Sequence, residues 1–177
     1  MIMLILITGV PGTGKTSVAK ILCKRLGAEE IDILELARKN KLITGYDIGT
    51  GSMVVDETKL TNSVKKLVKK DKNYIIASHL AHFVSSKISK ICVILRCDPL
   101  ILEKRLKNRG YLKGKIHDNM FCEYLDCCLI EALKAGHKRH LHEIDTTHKN
   151  PKEVAKEIID VLKRKKKHSF GNVMWLK

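Results

Sequence analysis

The sequence predicts an α/β fold, a parallel sheet with helices on both faces. Three observations carry that expectation. Short runs rich in Ile, Val and Leu alternate with segments of helical periodicity, the order expected of βαβ units. The strand-like runs are apolar almost throughout, as strands buried on both faces are. A glycine-rich turn, GVPGTGKT at Gly9–Thr16, joins the first strand to the first helix. It fits the phosphate-loop pattern GxxxxGK followed by Thr or Ser, in the strand–loop–helix setting that pattern requires.

In order, Ile2–Ile7 reads as the first strand and residues 15–26 as the helix after the loop. Residues 28–31 form a short strand, and Asp32 caps a helix reaching Lys39. Lys41–Asp56 holds three glycines and scattered polar residues, so a mobile insertion with little core is expected. Leu60, Val64, Leu67 and Val68 recur at helical spacing within Glu57–Lys70. Asn73–Ala77 and Ile91–Leu95 read as buried strands. Asp98-Pro99 opens a helix to about Asn108, with an acid at the cap and Pro in the first turn. A basic loop, Arg109–Lys115, precedes one long helix over 117–136. Strand Leu141–Ile144 and helix 151–166 complete the pattern.

Of 177 residues, 44% are hydrophobic and 30% charged, which suits one globular domain with a real core. No apolar run nears the roughly 18 residues that span a bilayer, and Met1–Ile7 lacks the flanks of a signal peptide. Six cysteines without a CxxC pair read as reduced thiols, with no structural zinc. A cytoplasmic protein without membrane contact is expected.

Lys and Arg number 34 against 19 Asp and Glu, a net charge of +15 that points to an anionic partner beyond a nucleotide. Part of it sits in Lys163–Lys167. Such a run is either a solvated helix end or a contact for RNA phosphates.

The loop defines the chemistry. Backbone N–H groups around Gly9, Gly12 and Gly14, and the N-terminus of the helix that opens there, suit a polyphosphate. Lys15 reaches the β- and γ-phosphates, and the Thr16 hydroxyl is placed to ligate Mg²⁺ held with ATP. In an open parallel sheet, ligands lie beyond the carboxyl ends of strands. This adds Ser78–Phe83, Arg96–Asp98 and Thr146–Lys149 as candidates. Arg105 and Arg109, four apart on one helix face, could clamp the transferring phosphoryl group or be solvated surface arginines. Arg38 suits a monophosphate acceptor, with a solvated helix position as its alternative. Asp56 either touches sugar or base or caps the next helix. His79 orients a water or hydroxyl near the γ-phosphate, or merely fills the sheet end.

The segments ELARKNKLITGYD, VVDE, SHLAH, VILRCDP, RLKNRGYLKGKIHDN and EIDTT, with the loop, span nearly the whole chain. Together they resemble the adenylate kinase isoenzyme 6 family, the coilin-interacting nuclear ATPase and its archaeal relatives. The resemblance implies a P-loop fold of nucleoside monophosphate kinase type with five parallel strands. It implies one domain over 1–177, with an NMP-binding segment near 32–55, a zinc-free lid near 108–118 and a basic tail over 163–177. It implies that Gly12, Gly14, Lys15, Thr16, Ser17 and Arg109 hold ATP. The activities implied are phosphoryl transfer from Mg-ATP to AMP or related monophosphates, and ATP hydrolysis. The setting implied is small ribosomal subunit maturation, beside the platform ribosomal protein numbered eleven and near pre-rRNA. One departure stands out: eukaryotic relatives carry an Asp where this chain has Ala77. An assembly ATPase, a small-metabolite kinase and a basic RNA-binding module are the rival readings.

Overall fold

The computed structural model describes residues 3–47 and 52–175. Ile2 of the expected first strand, residues 48–51 of the expected NMP-binding segment, and 176–177 of the tail lie outside them. The elements in order are β1 (Met3–Thr8), α1 (Lys15–Leu26), β2 (Ala28–Glu30), α2 (Ile33–Lys39), β3 (Ile43–Asp47), β4 (Ser52–Val55) and α3 (Glu57–Leu67). Then follow β5 (Asn73–Ala77), β6 (Ile91–Arg96), α4 (Pro99–Lys107), α5 (Lys113–Tyr124), α6 (Cys127–Lys134), β7 (Leu141–Asp145) and α7 (Pro151–Leu162).

Five strands form one parallel sheet in the order β2-β5-β1-β6-β7. This is the expected sheet, and its two faces are covered as expected. Successive residues of a strand point to opposite faces. Leu4, Leu6, Ile76, Cys92 and Ile94 pack against Ile33 and Ala37 of α2, Leu60 and Val64 of α3, and Leu129 of α6. Ile5, Ile7, Ile75, Val93 and Leu95 pack against Val18 and Leu22 of α1 and Val154 and Ile158 of α7. A third cluster, Val10, Cys97, Leu102, Leu106 and Ile116, ties the phosphate loop to α4 and α5.

Two expectations need correction. The segment 41–56 is not coreless: β3 and β4 pair antiparallel, and Leu42 and Val55 at its base are buried. Nor is 117–136 one helix. The chain is helical from Lys113, two residues before the expected end of the loop, and breaks at Leu125–Asp126, where Asp126 is left-handed with φ 55°. That conformation is costly for a residue with a Cβ, and the Asp126 carboxylate is paired there with Arg96.

Arg96 is itself a correction. Expected beside the ligand, it is 1% exposed and enclosed by carboxylates. Its Nε donates to Glu123 Oε1 at 2.6 Å and its Nη1 to Glu143 Oε1 at 2.6 Å. Asp98 caps α4 through the N–H groups of Leu100 and Ile101.

Candidate nucleotide site

Residues Gly9–Gly14 cross from β1 to α1 at the carboxyl edge of the sheet. Two glycines are required by geometry. Gly9 has φ 134°, and a Cβ there would lie 2.4 Å from the Leu95 carbonyl oxygen. Gly12 has φ 93°, and a Cβ would meet Leu102 Cδ1 at 2.7 Å. The loop therefore lies directly on β6 and α4. Helix α1 starts without a side-chain cap and with no acid in its first turn. Its N-terminal N–H groups and dipole are left for an anion. Thr16 and Ser17 are exposed on that turn.

Lys15 spans the loop from inside, its Nζ donating to the carbonyls of Gly9 at 2.6 Å and Val10 at 2.9 Å. Burial pushes this ammonium down to about 8, with the nearby Arg109 charge acting in the same direction and Cys128 and Glu123 opposing it. At neutral pH it is still charged, and a phosphate would relieve its desolvation.

A cavity of about 230 Å³ opens beside the loop, walled by Gly12, Thr13, Gly14 and Ser17, by Arg105 and Arg109, and by Thr146 and Lys149. The structure thus brings together the loop, both expected arginines and the segment after β7. The cavity is smaller than the ~300–1,000 Å³ of whole ligand pockets, so it suits part of a nucleotide. A larger depression of about 350 Å³ lies between α3 and Ser85–Lys87, and of the expected candidates Phe83 alone lines it.

Arg105 lines the cavity with its guanidinium bonded to backbone carbonyls. Its Nη2 donates to the carbonyls of Thr146 and Thr147, both at 3.0 Å, and its Nη1 lies 3.5 Å from the Gly12 carbonyl. The guanidinium therefore binds two loops to each other. Thr146 Oγ1, within 3.1 Å of the Thr13 carbonyl and 2.8 Å of the Arg96 carbonyl, does the same.

His79 follows β5. Burial pushes its imidazole to about 4, Lys15 and His82 lower it further, and Glu131 and Lys115 act in opposite senses. It is neutral at pH 7 and a weak base, suited to orienting a hydroxyl rather than taking its proton. Behind it, Thr8 Oγ1 lies 2.7 Å from His82 Nδ1, and Glu131 Oε2 lies 3.0 Å from His82 Nε2. Glu131 was missed by the sequence reading. It sits within a helical run whose spacing carries no chemical signature, and only the packing of α6 against the Ala81–Phe83 turn reveals it.

Arg38 and Asp56 do not line the loop cavity. Arg38 is exposed in the last turn of α2. Asp56 caps α3, with Oδ1 accepting from Lys59 N at 2.9 Å and Oδ2 3.1 Å from Lys59 Nζ. Its carboxylate is held below its ordinary range by those bonds to Lys59. Among the described residues, no three His, Cys, Asp or Glu side chains gather as a metal site. No described helix is long and apolar enough to cross a membrane.

Comparison with known proteins agrees with the geometry. The model of an AAA domain matches residues 5–126. A "Putative adenylate kinase" of Methanocaldococcus jannaschii is 39% identical over 98% of this chain and 93% of its own length. One from Thermococcus onnurineus is 37% identical over 98% and 91%. Among solved structures, shikimate kinase from Acinetobacter baumannii superposes with a TM-score of 0.61 at 19% identity, covering 94% of this chain and 96% of that one. Deoxyadenosine kinase from M. mycoides gives 0.56 at 18% identity, covering 93% and 100%. These two share the fold, that of P-loop kinases. The chain belongs to the AAA-domain family and to the family of the archaeal proteins named "Putative adenylate kinase".

Proposed function

We propose that this member of the AAA-domain family is a nucleoside monophosphate kinase, transferring the γ-phosphoryl group of Mg-ATP to AMP or a related monophosphate. The observation that carries the reading is the cavity walled by Gly12, Gly14 and Ser17 of the glycine loop together with Arg105 and Arg109, with Lys15 bridging the Gly9 and Val10 carbonyls of the same loop. The archaeal relatives' name supports it.

Phosphoryl transfer asks a protein for positioning and charge neutralisation more than for covalent chemistry. The P–O bond to ADP breaks as a new one forms to an acceptor phosphate oxygen. In this reading Gly12, Gly14 and Ser17 hold the phosphate chain by backbone N–H groups, and Lys15 leaves its two carbonyls for the β- and γ-phosphates. Thr16 carries the hydroxyl that would hold the nucleotide's Mg²⁺, whose role is to neutralise phosphate charge. Arg109 balances charge from the lid side, Arg105 keeps the walls in register, and neutral His79 orients the acceptor. Arg38 receives the acceptor phosphate from the segment 32–55. Residues 108–118 serve as the lid of a single kinase domain.

A second reading, an ATPase for which NMP phosphorylation is incidental, draws on the same cavity together with Arg38 and Asp56 standing outside it. The resemblance to the adenylate kinase isoenzyme 6 family adds a setting: small-subunit maturation in the cytoplasm, beside the platform protein numbered eleven, with the basic run 163–167 near pre-rRNA. The net charge of +15 is compatible with that setting.

The test is ADP formation from Mg-ATP with and without AMP, CMP, dAMP and UMP. A kinase makes two ADP per ATP and AMP consumed and little without acceptor. Arg109→Ala should lower kcat/KM by at least tenfold, and Lys15→Ala should abolish turnover. Acceptor-independent ADP formation at the full rate would replace the kinase by the ATPase.

A further inference from the structure

The segment 169–175 runs along the outer edge of β7. Glu143 N–H donates to the Ser169 carbonyl at 2.8 Å, and Ser169 N–H donates to His142 Nδ1 at 3.1 Å. Phe170 packs against the main core. Gly171, with φ 74°, turns the backbone so that the N–H groups of Gly171, Asn172 and Val173 converge on Glu143 Oε2 at 2.8, 3.2 and 3.4 Å. Trp175 Nε1–H then donates to Glu123 Oε1 at 3.0 Å, with its ring centroid 5.9 Å from the Arg96 guanidinium carbon.

This segment completes the Arg96 cluster. One buried cation faces three carboxylates, Glu123, Asp126 and Glu143. Arg96 alone cannot satisfy them, and burial raises the Glu123 carboxyl above its ordinary range. The remaining demand is met by neutral donors: three N–H groups of the segment on Glu143, and on Glu123 the Trp175 indole and the Cys97 N–H. Buried carboxylate oxygens without donors are strongly disfavoured, so the segment and the cluster hold or release together.

Glu123 stands in the last turn of α5, and Asp126 at the bend after it. The first turn of α5 follows residues 109–112, and Arg109 lines the nucleotide cavity. A helix of that length is about 18 Å from end to end and moves as a rod. Its far end is fastened by Trp175, and its near end carries the loop that would close over ATP.

We propose that residues 169–175 form a strap that positions α5 for lid closure, with Trp175 as its latch and a positioning residue of the phosphoryl transfer. The inference rests on the ATP-dependent reading above.

Trp175 is the only tryptophan of the chain, so the latch reports on itself. The full-length protein is titrated with Mg-ATP while binding heat and tryptophan emission are recorded. Trp175→Phe, which keeps an aromatic ring and removes the donor, is assayed for kcat and KM at a temperature where circular dichroism shows it folded. Expected are an emission change with the midpoint of the heat, and about a tenfold loss of kcat in the variant, the size of one hydrogen bond to a charged group. Its KM for ATP should stay within about twofold, since the loop grip is untouched. Binding heat with silent emission and an unaltered kcat in Trp175→Phe would overturn the strap and leave the kinase standing. No binding heat and no turnover would remove both.

Discussion

Lys15→Met separates the energetics of the loop from its chemistry. The Lys15 ammonium lies at about 8 against an ordinary 10.5, burial being the chief cause. That gap of about 2.5 pH units corresponds to about 3 kcal/mol at 1.36 kcal/mol per unit. The sign follows from proton counting. Between pH 8 and 10.5 the unfolded chain holds a proton on Lys15 that the folded chain has lost, so stability rises with pH there. Below pH 8 both states are charged and the full cost of burial is present. Methionine has no such titration. The stability of wild type minus that of Lys15→Met should therefore climb by up to about 3 kcal/mol from pH 7 to pH 10.5, while all groups common to both chains cancel. Urea unfolding at half-unit pH steps measures it. A difference that stays flat across this range would refute the buried, desolvated lysine. At pH 7, ATP at a hundred times its dissociation constant should add about 2.7 kcal/mol to wild type and nothing to the variant.

Two further outcomes follow from the geometry. Gly9→Ala should destabilise the fold by about 1–3 kcal/mol or more, because its Cβ lands on the backbone oxygen of Leu95. Gly14→Ala meets nothing within 4 Å and is strained only by its φ of 98°, so thermal melts should rank it clearly milder. His137 is fully buried, 2.9 Å from the His82 carbonyl through Nε2, with Nδ1 unpartnered. Burial pushes it to about 4 from 6.5. The unfolded chain takes up the proton first, so stability present above pH 6.5 falls by about 3 kcal/mol as pH drops to 4. His137→Gln should show an acid transition at lower pH than wild type in a circular-dichroism titration, and coincident transitions would exclude His137 as its source.

What could be read from the sequence was what is local. The phosphate loop, the caps at Asp32 and Asp98, and the buried strands are set by residues within a few positions of one another. The bend at Leu125–Asp126 could not be read, because the charge that holds Asp126 left-handed is Arg96, thirty residues away. The same separation hid Arg96, which follows a strand as a site residue would and is instead neutralised from β7 and α5. Arg105 shows the converse. Its place on the helix face was legible, but its three carbonyl partners lie on two distant loops. The pairing of β3 with β4 escaped notice because glycines and polar residues blur the alternation of so short a hairpin.

The two halves of the proposed reaction are built to different standards of rigidity. Around the loop, every neighbouring strand end is tied to the next. Gly9 rests on β6 and Gly12 on α4 with no room for a methyl group. Arg105 and Thr146 bind the turn after β7 to that loop and to β6. A grip of this kind is complete before a ligand arrives, and its binding energy goes into contacts rather than into ordering the chain. The residues proposed for the acceptor have no such ties to the loop. Arg38 stands exposed, and the Asp56 carboxylate is spent on its own helix. If the donor side cannot move without tearing the sheet edge, closure has to come from the elements that meet it from outside. Among the described residues, α5 is joined at one end to the cavity wall through residues 109–112 and at the other to the charge cluster that the proposed strap fastens. Under the proposed kinase reading, selection of the acceptor would then depend on the geometry of closure, and the same movement would exclude water.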